Sequence, residues 1–364
     1  MDTPFIPQME PWFGEEEKRA LCEYMDEGGF ITEFKRTQQF ERMVGEFTGA
    51  RHCVVVNNGT ISLTIAAMSL GVGAGDEVIV PNYTMIATPN SVKMFGAVPV
   101  FVDVERETLC MDIELARGAV TAKTKAIMLV SANGRYPGAG ITAFEKFAAE
   151  RGIALIEDAA QSLGSRYPDG RHIGRAGIVG SFSFSAPKII STGQGGALIT
   201  DDDVVAFKLR RLKDFGRSAG GTDIHESIGY NFKFTELQAC VGIEQMRKLQ
   251  GRVQRKKALW TMYRDRLRSI PTVALFAHDL ENTTPWFVDA LVERREQLQD
   301  FLKERGIGTR VMYSPINRQA AYRLPGRFPV CELVGQKGLW LPSSNQLTEN
   351  QVERICDAIG QFYA

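Results

Sequence analysis

The sequence is poor in the residues that build metal and redox centres. Its six cysteines are scattered without a CxxC pair, and its four histidines show no metal-ligand spacing. This distribution argues against a zinc site and against a thioredoxin-like motif. We therefore expect reduced, structural thiols and no metal centre.

The sequence also lacks an excess of charge and an apolar run of membrane-spanning length. Lysine plus arginine and aspartate plus glutamate both number 43, so no global field of either sign attracts nucleic acid or an anionic membrane. The first residues show no basic stretch followed by an apolar run. These absences predict a cytoplasmic protein whose partners are neither nucleic acid nor membrane.

The length and the composition indicate a folded chain of two domains. With 364 residues, of which 44% are hydrophobic and 24% charged, the chain exceeds the usual size of one compact core. A long helical pattern at residues 236–268 is typical of a bridge between two lobes. We predict a large cofactor-binding domain at residues 1–245 and a smaller C-terminal domain at residues 246–364.

Short apolar runs dominate the large domain. They are nearly continuous in Val, Ile, Leu, Ala and Phe, which is typical of a mostly parallel sheet buried on both faces, and therefore of an α/β fold. The smaller domain shows one strand pattern and two helical patterns, the last capped by Thr348 and Gln351. The strands are predicted at residues 52–58, 76–81, 98–103, 125–131, 153–158, 180–185, 195–200 and 286–292, and helices at 60–70, 143–151, 293–305 and 348–362.

Two predicted strand ends carry polar residues suited to ligand binding. Residues 57–60 (NNGT) lie where a strand gives way to a helix, so free backbone N–H groups would bind a phosphate there, although the same pattern also fits an ordinary βα turn. Asp158 ends another buried strand, at the edge where open α/β sheets bind ligands. It would pair either with an arginine for structural reasons or with a protonated ring nitrogen of a cofactor.

Lys188 lies in a short loop between a strand and a Gly-rich turn, within residues 181–197. Such a loop lets an amine approach a carbonyl, lose part of its solvation and release its imine again. A lone loop lysine is more often simply solvated, because a functional lysine needs convergent partners. Here the lysine coincides with the phosphate signal and with Asp158, so we interpret it as a functional residue.

Together these segments resemble the DegT/DnrJ/EryC1/StrS family of sugar aminotransferases over nearly the whole chain. The family has the fold-type-I, aspartate aminotransferase-like fold, with a large domain and a smaller C-terminal α/β domain, and it uses pyridoxal 5′-phosphate (PLP). The matching segments follow the family's order and are residues 58–60, 75–81, 157–161, Ser183 with Lys188, 192–196 and 229–232.

The resemblance implies a role for residues around the cofactor ring. Lys188 would hold PLP as a Schiff base and, once released, carry protons. Asp158 would pair with the pyridinium nitrogen, which lets the ring accept carbanion electrons. Gln161 would contact the ring hydroxyl. Lys188 and Asp158 would therefore be the catalytic residues.

The resemblance also implies a phosphate site and a partner. Gly59, Thr60 and Ser183 would hold the cofactor phosphate. Asn231 would reach the phosphate of the neighbouring subunit's cofactor, which makes the active unit a homodimer with shared sites.

Two segments depart from the family pattern. Met85 stands where an aromatic residue often stacks on the cofactor, so we expect either its thioether or the ring of Tyr83 to pack there. Residues 131–134 read Ser-Ala-Asn-Gly where many members have His-Leu-Tyr-Gly. That loop is expected near the substrate.

The implied reaction moves an amino group from glutamate to the keto group of a nucleotide-linked deoxysugar, for a surface polysaccharide such as the O-antigen of lipopolysaccharide. Amination at C4 is favoured, and C3 is the other possible position. The alternatives are a PLP-dependent sugar dehydratase, whose relatives carry His where this chain has Lys188, and a non-catalytic regulatory PLP-binding protein. A dinucleotide-binding oxidoreductase is excluded because no GxGxxG follows the first strand. Candidate substrate contacts by chemical type alone are Arg217, Lys233, Arg310, Tyr313 and Arg318.

Overall fold

The computed structural model describes residues 4–217 and 223–364. Within these ranges the α-helices are α1 (Glu15–Glu27), α2 (Lys35–Thr48), α3 (Gly59–Ser69), α4 (Ala87–Lys93), α5 (Ile113–Gly118), α6 (Ile141–Arg151), α7 (Asp203–Lys213), α8 (Glu236–Leu267), α9 (Arg295–Glu304), α10 (Pro329–Lys337) and α11 (Glu349–Tyr363). The strands are β1 (His52–Val56), β2 (Glu77–Pro81), β3 (Val98–Val102), β4 (Thr124–Val130), β5 (Ala154–Asp158), β6 (Val179–Ser183), β7 (Gly196–Thr200), β8 (Val273–Leu275), β9 (Val288–Val292), β10 (Arg310–Val311) and β11 (Gly338–Leu341).

Seven strands form one sheet in the order β1-β7-β6-β5-β4-β2-β3. The neighbours from β6 to β3 pair in parallel, whereas β7 runs antiparallel to both β6 and β1. Because β7 reverses direction, residues 184–195 join β6 to β7 at the carboxyl edge of the parallel strands. Lys188 lies in this connection. The predicted mostly parallel sheet is confirmed, and its seven predicted strands are present with small shifts at their ends.

Both faces of this sheet are buried, as the continuous apolar runs predicted. Along β1, Cys53 and Val55 face one hydrophobic cluster, and Val54 and Val56 face another. The same alternation holds in β4. Successive side chains of a strand point to opposite faces, so a strand covered by helices on both sides is apolar at every position.

Helix α8 connects two hydrophobic cores. Thr235 caps it, with Gln238 completing a capping box. Its first half packs on the large sheet, while Leu259 and Tyr263 of its second half pack in a separate cluster toward the C-terminus. The division at residues 245 and 246 remains a prediction and falls inside this helix.

The second core surrounds a four-stranded antiparallel sheet in the order β10-β11-β9-β8. Helices α9 and α11 contribute their apolar faces to it. Thr348 and Gln351 form the capping box that starts α11, as predicted. Ile6, from the N-terminal segment, is fully buried in this core and pairs with Ile307.

All six cysteines lie within the described residues and carry free thiols, and only Cys22 among them is exposed. In residues 4–217 and 223–364, no helix combines the length and the apolar character needed to cross a membrane.

Candidate active site

A cavity of about 500 Å³ opens at the carboxyl edge of the large sheet. Parallel strands bring their carboxyl ends to the same edge, where the following turns supply the polar side chains. Asn231 lies outside this cavity and is exposed. The predicted cofactor-binding residues that line it are Gly59, Thr60, Met85, Asp158, Gln161, Ser183 and Lys188.

The first turn of α3 provides an anion site in one wall of the cavity. Asn58 caps the helix by accepting a hydrogen bond from the backbone N–H of Ile61 at 2.9 Å. The N–H groups of Gly59 and Thr60 have no partner among the described residues. Unpaired N–H groups and the positive end of the helix dipole favour a phosphate at this position.

Gly59 lets α3 approach β6 closely. A Cβ atom at this position would lie 2.8 Å from Cβ and 3.0 Å from Oγ of Ser183. The missing side chain therefore places the Ser183 hydroxyl, which also lines the cavity, next to the free N–H groups of the helix. A hydroxyl close to two unpaired backbone N–H groups fits a phosphate group.

Asp158 is a buried carboxylate at the end of β5. One oxygen accepts a hydrogen bond from Thr88 Oγ1 at 2.7 Å, and the other accepts from the Ala160 N–H at 3.2 Å. Burial raises the pKa of Asp158, while the Thr88 hydroxyl, the Ala160 N–H and the charge of Lys188 oppose the rise. The site therefore favours a cationic ligand group beside this carboxylate.

Lys188 presents a partly buried amine to the same cavity. Burial lowers its pKa to about 8, against the opposing charge of Asp158, and the positive charge of Arg310 adds to the lowering. Its Nζ lies 4.3 Å from the centroid of the Trp286 ring and has no hydrogen-bond partner within residues 4–217 and 223–364. An amine with a lowered pKa is a better nucleophile at neutral pH than an ordinary lysine.

Gln161, Met85 and Tyr83 have different positions around the cavity. Gln161 accepts a hydrogen bond from the backbone N–H of Asn133 through Oε1. Met85 is about half exposed in the cavity wall. Tyr83 is buried and packs on Tyr313, at 5.7 Å between ring centroids, and does not line the cavity. Of the two residues considered for packing on the cofactor, only Met85 therefore reaches the cavity.

The cationic candidates for substrate contact differ in whether they already form an ion pair. Arg217 pairs with Asp223, Lys233 with Asp214, and Arg318 with Glu332, at 2.9 to 3.1 Å. No carboxylate in the described part of the chain pairs with Arg310, although its charge acts on both Lys188 and Tyr313. Of these four cationic candidates, Arg310 is therefore the one most available to a ligand.

Sequence reasoning missed Thr88 and Trp286. Thr88 lies in the first turn of α4, a helix of seven residues whose pattern is too short to stand out. Trp286 precedes β9 and belongs to the C-terminal half of the chain, far along the sequence from Lys188. Only the folded chain brings the indole beside the amine.

Similarities to known proteins cover almost the whole chain. It matches the DegT/DnrJ/EryC1/StrS aminotransferase family over residues 12–360. It is 33% identical to the GDP-perosamine synthase of Escherichia coli O157:H7, over 364 residues that cover 99% of both chains. The GDP-perosamine synthase of Vibrio cholerae is 31% identical over 369 residues, 98% of this chain and 99% of the relative. A crystal structure of S. venezuelae DesV in complex with a ketimine intermediate superposes with a TM-score of 0.92 at 31% identity, covering 99% of each chain.

Proposed function

This chain belongs to the DegT/DnrJ/EryC1/StrS aminotransferase family, and from that premise we propose that it transfers an amino group from glutamate to the C4 keto group of a nucleotide-linked deoxysugar. The expected PLP cofactor, aminotransferase activity and fold-type-I architecture are confirmed by the family and its solved members. The observation that carries the proposal is the convergence of Lys188, Asp158 and the free N-terminus of α3 in one cavity.

The sugar is proposed from the relatives. Two GDP-perosamine synthases match the chain from end to end, so a GDP-linked keto-deoxysugar is the first acceptor to test. Amination at C3 is the second choice. We place the product in the synthesis of a surface polysaccharide such as O-antigen.

The cavity residues fit PLP group by group. When bound, PLP supplies the carbonyl that accepts the amino group and a ring that takes up electrons from the substrate carbon. The N–H groups of Gly59 and Thr60, with the Ser183 hydroxyl, would bind the phosphate. Asp158 would hold the proton of the ring nitrogen. This carboxylate is buried and has no cationic side chain bonded to it within the described residues, which leaves it available for that role.

Lys188 would bind the cofactor covalently and carry the proton. Its lowered pKa, about 8, leaves a substantial neutral fraction near physiological pH, so the amine can accept a proton from a substrate carbon and return it nearby. Exclusion of water from the cavity by the bound substrate would strengthen the electrostatic attraction between Lys188 and Asp158.

We assign the donor carboxylate to Arg310. Its guanidinium is close enough to Lys188 to lower the pKa of that amine, and it has no carboxylate partner in the described part of the chain. Arginine binds a carboxylate with two parallel hydrogen bonds, which would fix glutamate in one orientation.

A second copy of this chain is the proposed protein partner. Residues 30–34 run beside the start of α8 through the pairing of Thr32 with Thr235. Phe30 and Ile31 are more than half exposed there, and Ile228 is 78% exposed in the segment that leads to Asn231. Large apolar side chains exposed near one site are typical of an interface. We propose that the partner covers them and that Asn231 reaches the partner's cofactor phosphate.

The activity is tested with the PLP-loaded protein, glutamate and a panel of GDP- and dTDP-linked 4-keto and 3-keto sugars, with mass spectrometry of the products. We expect an amino sugar and 2-oxoglutarate in equal amounts. A nitrogen-free deoxygenated sugar would instead identify a dehydratase. A PLP absorbance band that glutamate and other amino donors leave unchanged would identify a regulatory binder. The Lys188→Ala variant is the matched inactive control.

Sharing of the site is tested with mixed dimers of Asn231→Ala and Lys188→Ala subunits at limiting PLP. In such a dimer one site carries both substitutions and the other carries neither, because each site combines Lys188 of one chain with Asn231 of the other. We expect up to half of the wild-type activity per mixed dimer. Verified mixed dimers without activity would refute the shared site.

A further inference from the structure

Asn133 connects the large domain to the segment that enters β9. Its side-chain Oδ1 accepts a hydrogen bond from the backbone N–H of Phe287 at 2.6 Å, and its Nδ2 donates to the carbonyl of the same residue at 2.8 Å. The N–H of Trp286 donates to the backbone carbonyl of Asn133 at 3.3 Å. One buried residue thus pairs with two successive backbone units, as a neighbouring strand would.

The backbone of Asn133 and Gly134 has positive φ angles, which allow the close contact with residues 284–287. Asn133 has a φ of 55°, in the left-handed region, which asparagine tolerates better than most residues. Gly134 follows with a φ of 87°, and a Cβ atom there would lie 2.2 Å from the carbonyl oxygen of Thr284. The left-handed backbone therefore favours asparagine at position 133, the close approach requires glycine at position 134, and the turn packs against residues 284–287.

The segment held by Asn133 ends beside Lys188. Trp286 is 4% exposed, donates from Nε1 to the carbonyl of Pro187 at 2.7 Å, and places its ring face 4.3 Å from Lys188 Nζ. The indole therefore bounds the space open to the amine on one side. Displacement of Trp286 would release both the amine and the loop that carries it.

The same asparagine orients Gln161. Its backbone N–H donates to Gln161 Oε1, which fixes the oxygen of that amide toward Asn133. The NH₂ group of Gln161 has no partner in the described residues and is left to donate within the cavity that Gln161 lines. Asn133 thus bonds one cavity residue, Gln161, and the backbone next to Trp286, which packs on a second, Lys188, without lining the cavity itself.

We propose that Asn133 is a positioning residue, whose side chain holds Trp286 behind Lys188 and whose backbone N–H fixes the amide of Gln161. This assigns a role to the Ser-Ala-Asn-Gly loop at residues 131–134, which departs from the family pattern. The proposal rests on the proposed roles of Lys188 and Gln161 in holding PLP.

The test compares PLP-loaded Asn133→Gly and Ser165→Ala with the wild type. Glycine keeps the left-handed backbone and the N–H to Gln161. It removes the two side-chain hydrogen bonds to Phe287 and the 3.4 Å contact between Asn133 Nδ2 and His278 Nε2. Ser165→Ala removes a buried hydrogen bond of 2.9 Å from the Thr284 N–H, in the same contact between the large domain and residues 284–287, and leaves Asn133 intact. The readouts are the visible circular dichroism of the bound cofactor, its rate of release into dialysis buffer, and the unfolding temperature. None of them uses a sugar nucleotide or an amino donor, so rejection of the proposed substrates would leave the test valid.

We expect Asn133→Gly to release PLP about tenfold faster, the combined ratio for two lost hydrogen bonds of about threefold each, and to lose much of its visible dichroism. Ser165→Ala should lower the unfolding temperature and change neither cofactor readout. If the Gly variant does not fold, Asn133→Asp decides, because it keeps the acceptor for the Phe287 N–H and turns a second oxygen, in place of the donor, toward the Phe287 carbonyl; release at least about threefold faster is then expected. An Asn133 variant that behaves like Ser165→Ala would show a merely structural role and overturn the proposal.

A double variant tests the part of the proposal that acts through Trp286. If the side chain acts through Trp286, Asn133→Gly combined with Trp286→Leu should release PLP no faster than the faster single variant. Release rates that multiply would refute the connection through Trp286.

Discussion

Substitution of Gly59 by alanine tests whether the α3 terminus binds the cofactor phosphate. The added Cβ would meet Ser183 Cβ at 2.8 Å, Ser183 Oγ at 3.0 Å and Ser183 Cα at 3.4 Å. Carbon atoms normally rest about 3.5 to 4.0 Å apart, so the helix terminus and β6 must separate by about 1 Å. Neither backbone segment moves easily, because the clash involves Cα and Cβ of Ser183 in a buried strand.

The expected cost is divided between folding and binding. Overpacking of this kind destabilises a protein by about 1–3 kcal/mol. The displaced N–H groups would also lose at least one hydrogen bond to a charged phosphate, worth about 1.5–3 kcal/mol. We therefore expect the dissociation constant for PLP, measured by equilibrium dialysis, to rise roughly 10- to 100-fold.

Two controls make the result specific. Gly251→Ala lies in α8, where an added Cβ meets nothing within 4 Å, so it should leave PLP affinity unchanged and stabilise the protein by up to about 1 kcal/mol. Pyridoxal without its phosphate should bind wild type and Gly59→Ala almost equally. If Gly59→Ala weakened both ligands alike, or neither, the assignment of the phosphate to α3 would be wrong.

Three further predictions concern single side chains. Lys188→Ala should fold, bind PLP noncovalently and lose turnover by at least about 10²-fold; borohydride reduction of the unmutated protein should label Lys188, and a label on another lysine would contradict the assignment. Asp158→Asn should lower turnover by about 100-fold while PLP affinity changes less; near-normal turnover would reject its role. Burial lowers the pKa of the His172 imidazole to about 4. Between pH 6.5 and 4 the unfolded chain therefore binds a proton at His172 that the folded chain does not. The free energy of unfolding should therefore fall by about 3 kcal/mol across that window, and His172→Gln should flatten the fall in urea titrations.

The large sheet was predictable because its sequence signal is local. Continuous apolar runs such as residues 125–131 identify strands buried on both faces, and their succession with helices implies parallel pairing. The small sheet was not predicted as such, because β10 has two residues and β8 three, so neither carries a readable alternation. Pairing with β9 and β11 makes them strands.

The cofactor-binding residues were predictable where they follow strand ends. Asp158 and Lys188 come directly after or near the end of a buried strand, and strand order alone places them at one edge. Thr88 and Trp286 were not predictable, since their roles depend on distances across the fold: a hydroxyl 2.7 Å from one carboxylate, and a ring 4.3 Å from one amine. Asn133 was singled out only as a departure from a pattern. Its function became readable when the structure showed which backbone its amide contacts.

The buried charged residues are of two kinds. Some pair with each other and stabilise the fold, and others lie in the cavity without an ionic partner among the described residues. Arg135 and Asp289 are both buried and satisfy each other directly, with N–O distances of 2.7 and 3.2 Å. Asp158 and Lys188 influence each other's pKa, yet within residues 4–217 and 223–364 they share no hydrogen bond and no ion pair. Burial raises the pKa of the acid and lowers that of the base, so both charged forms are disfavoured in the absence of a partner. A ligand with a cationic ring nitrogen and an aldehyde relieves both groups at once, because the carboxylate gains a counter-charge and the amine gains a carbonyl to bind. The cavity is therefore complementary to its cofactor through two groups that have no ionic partner within the described residues.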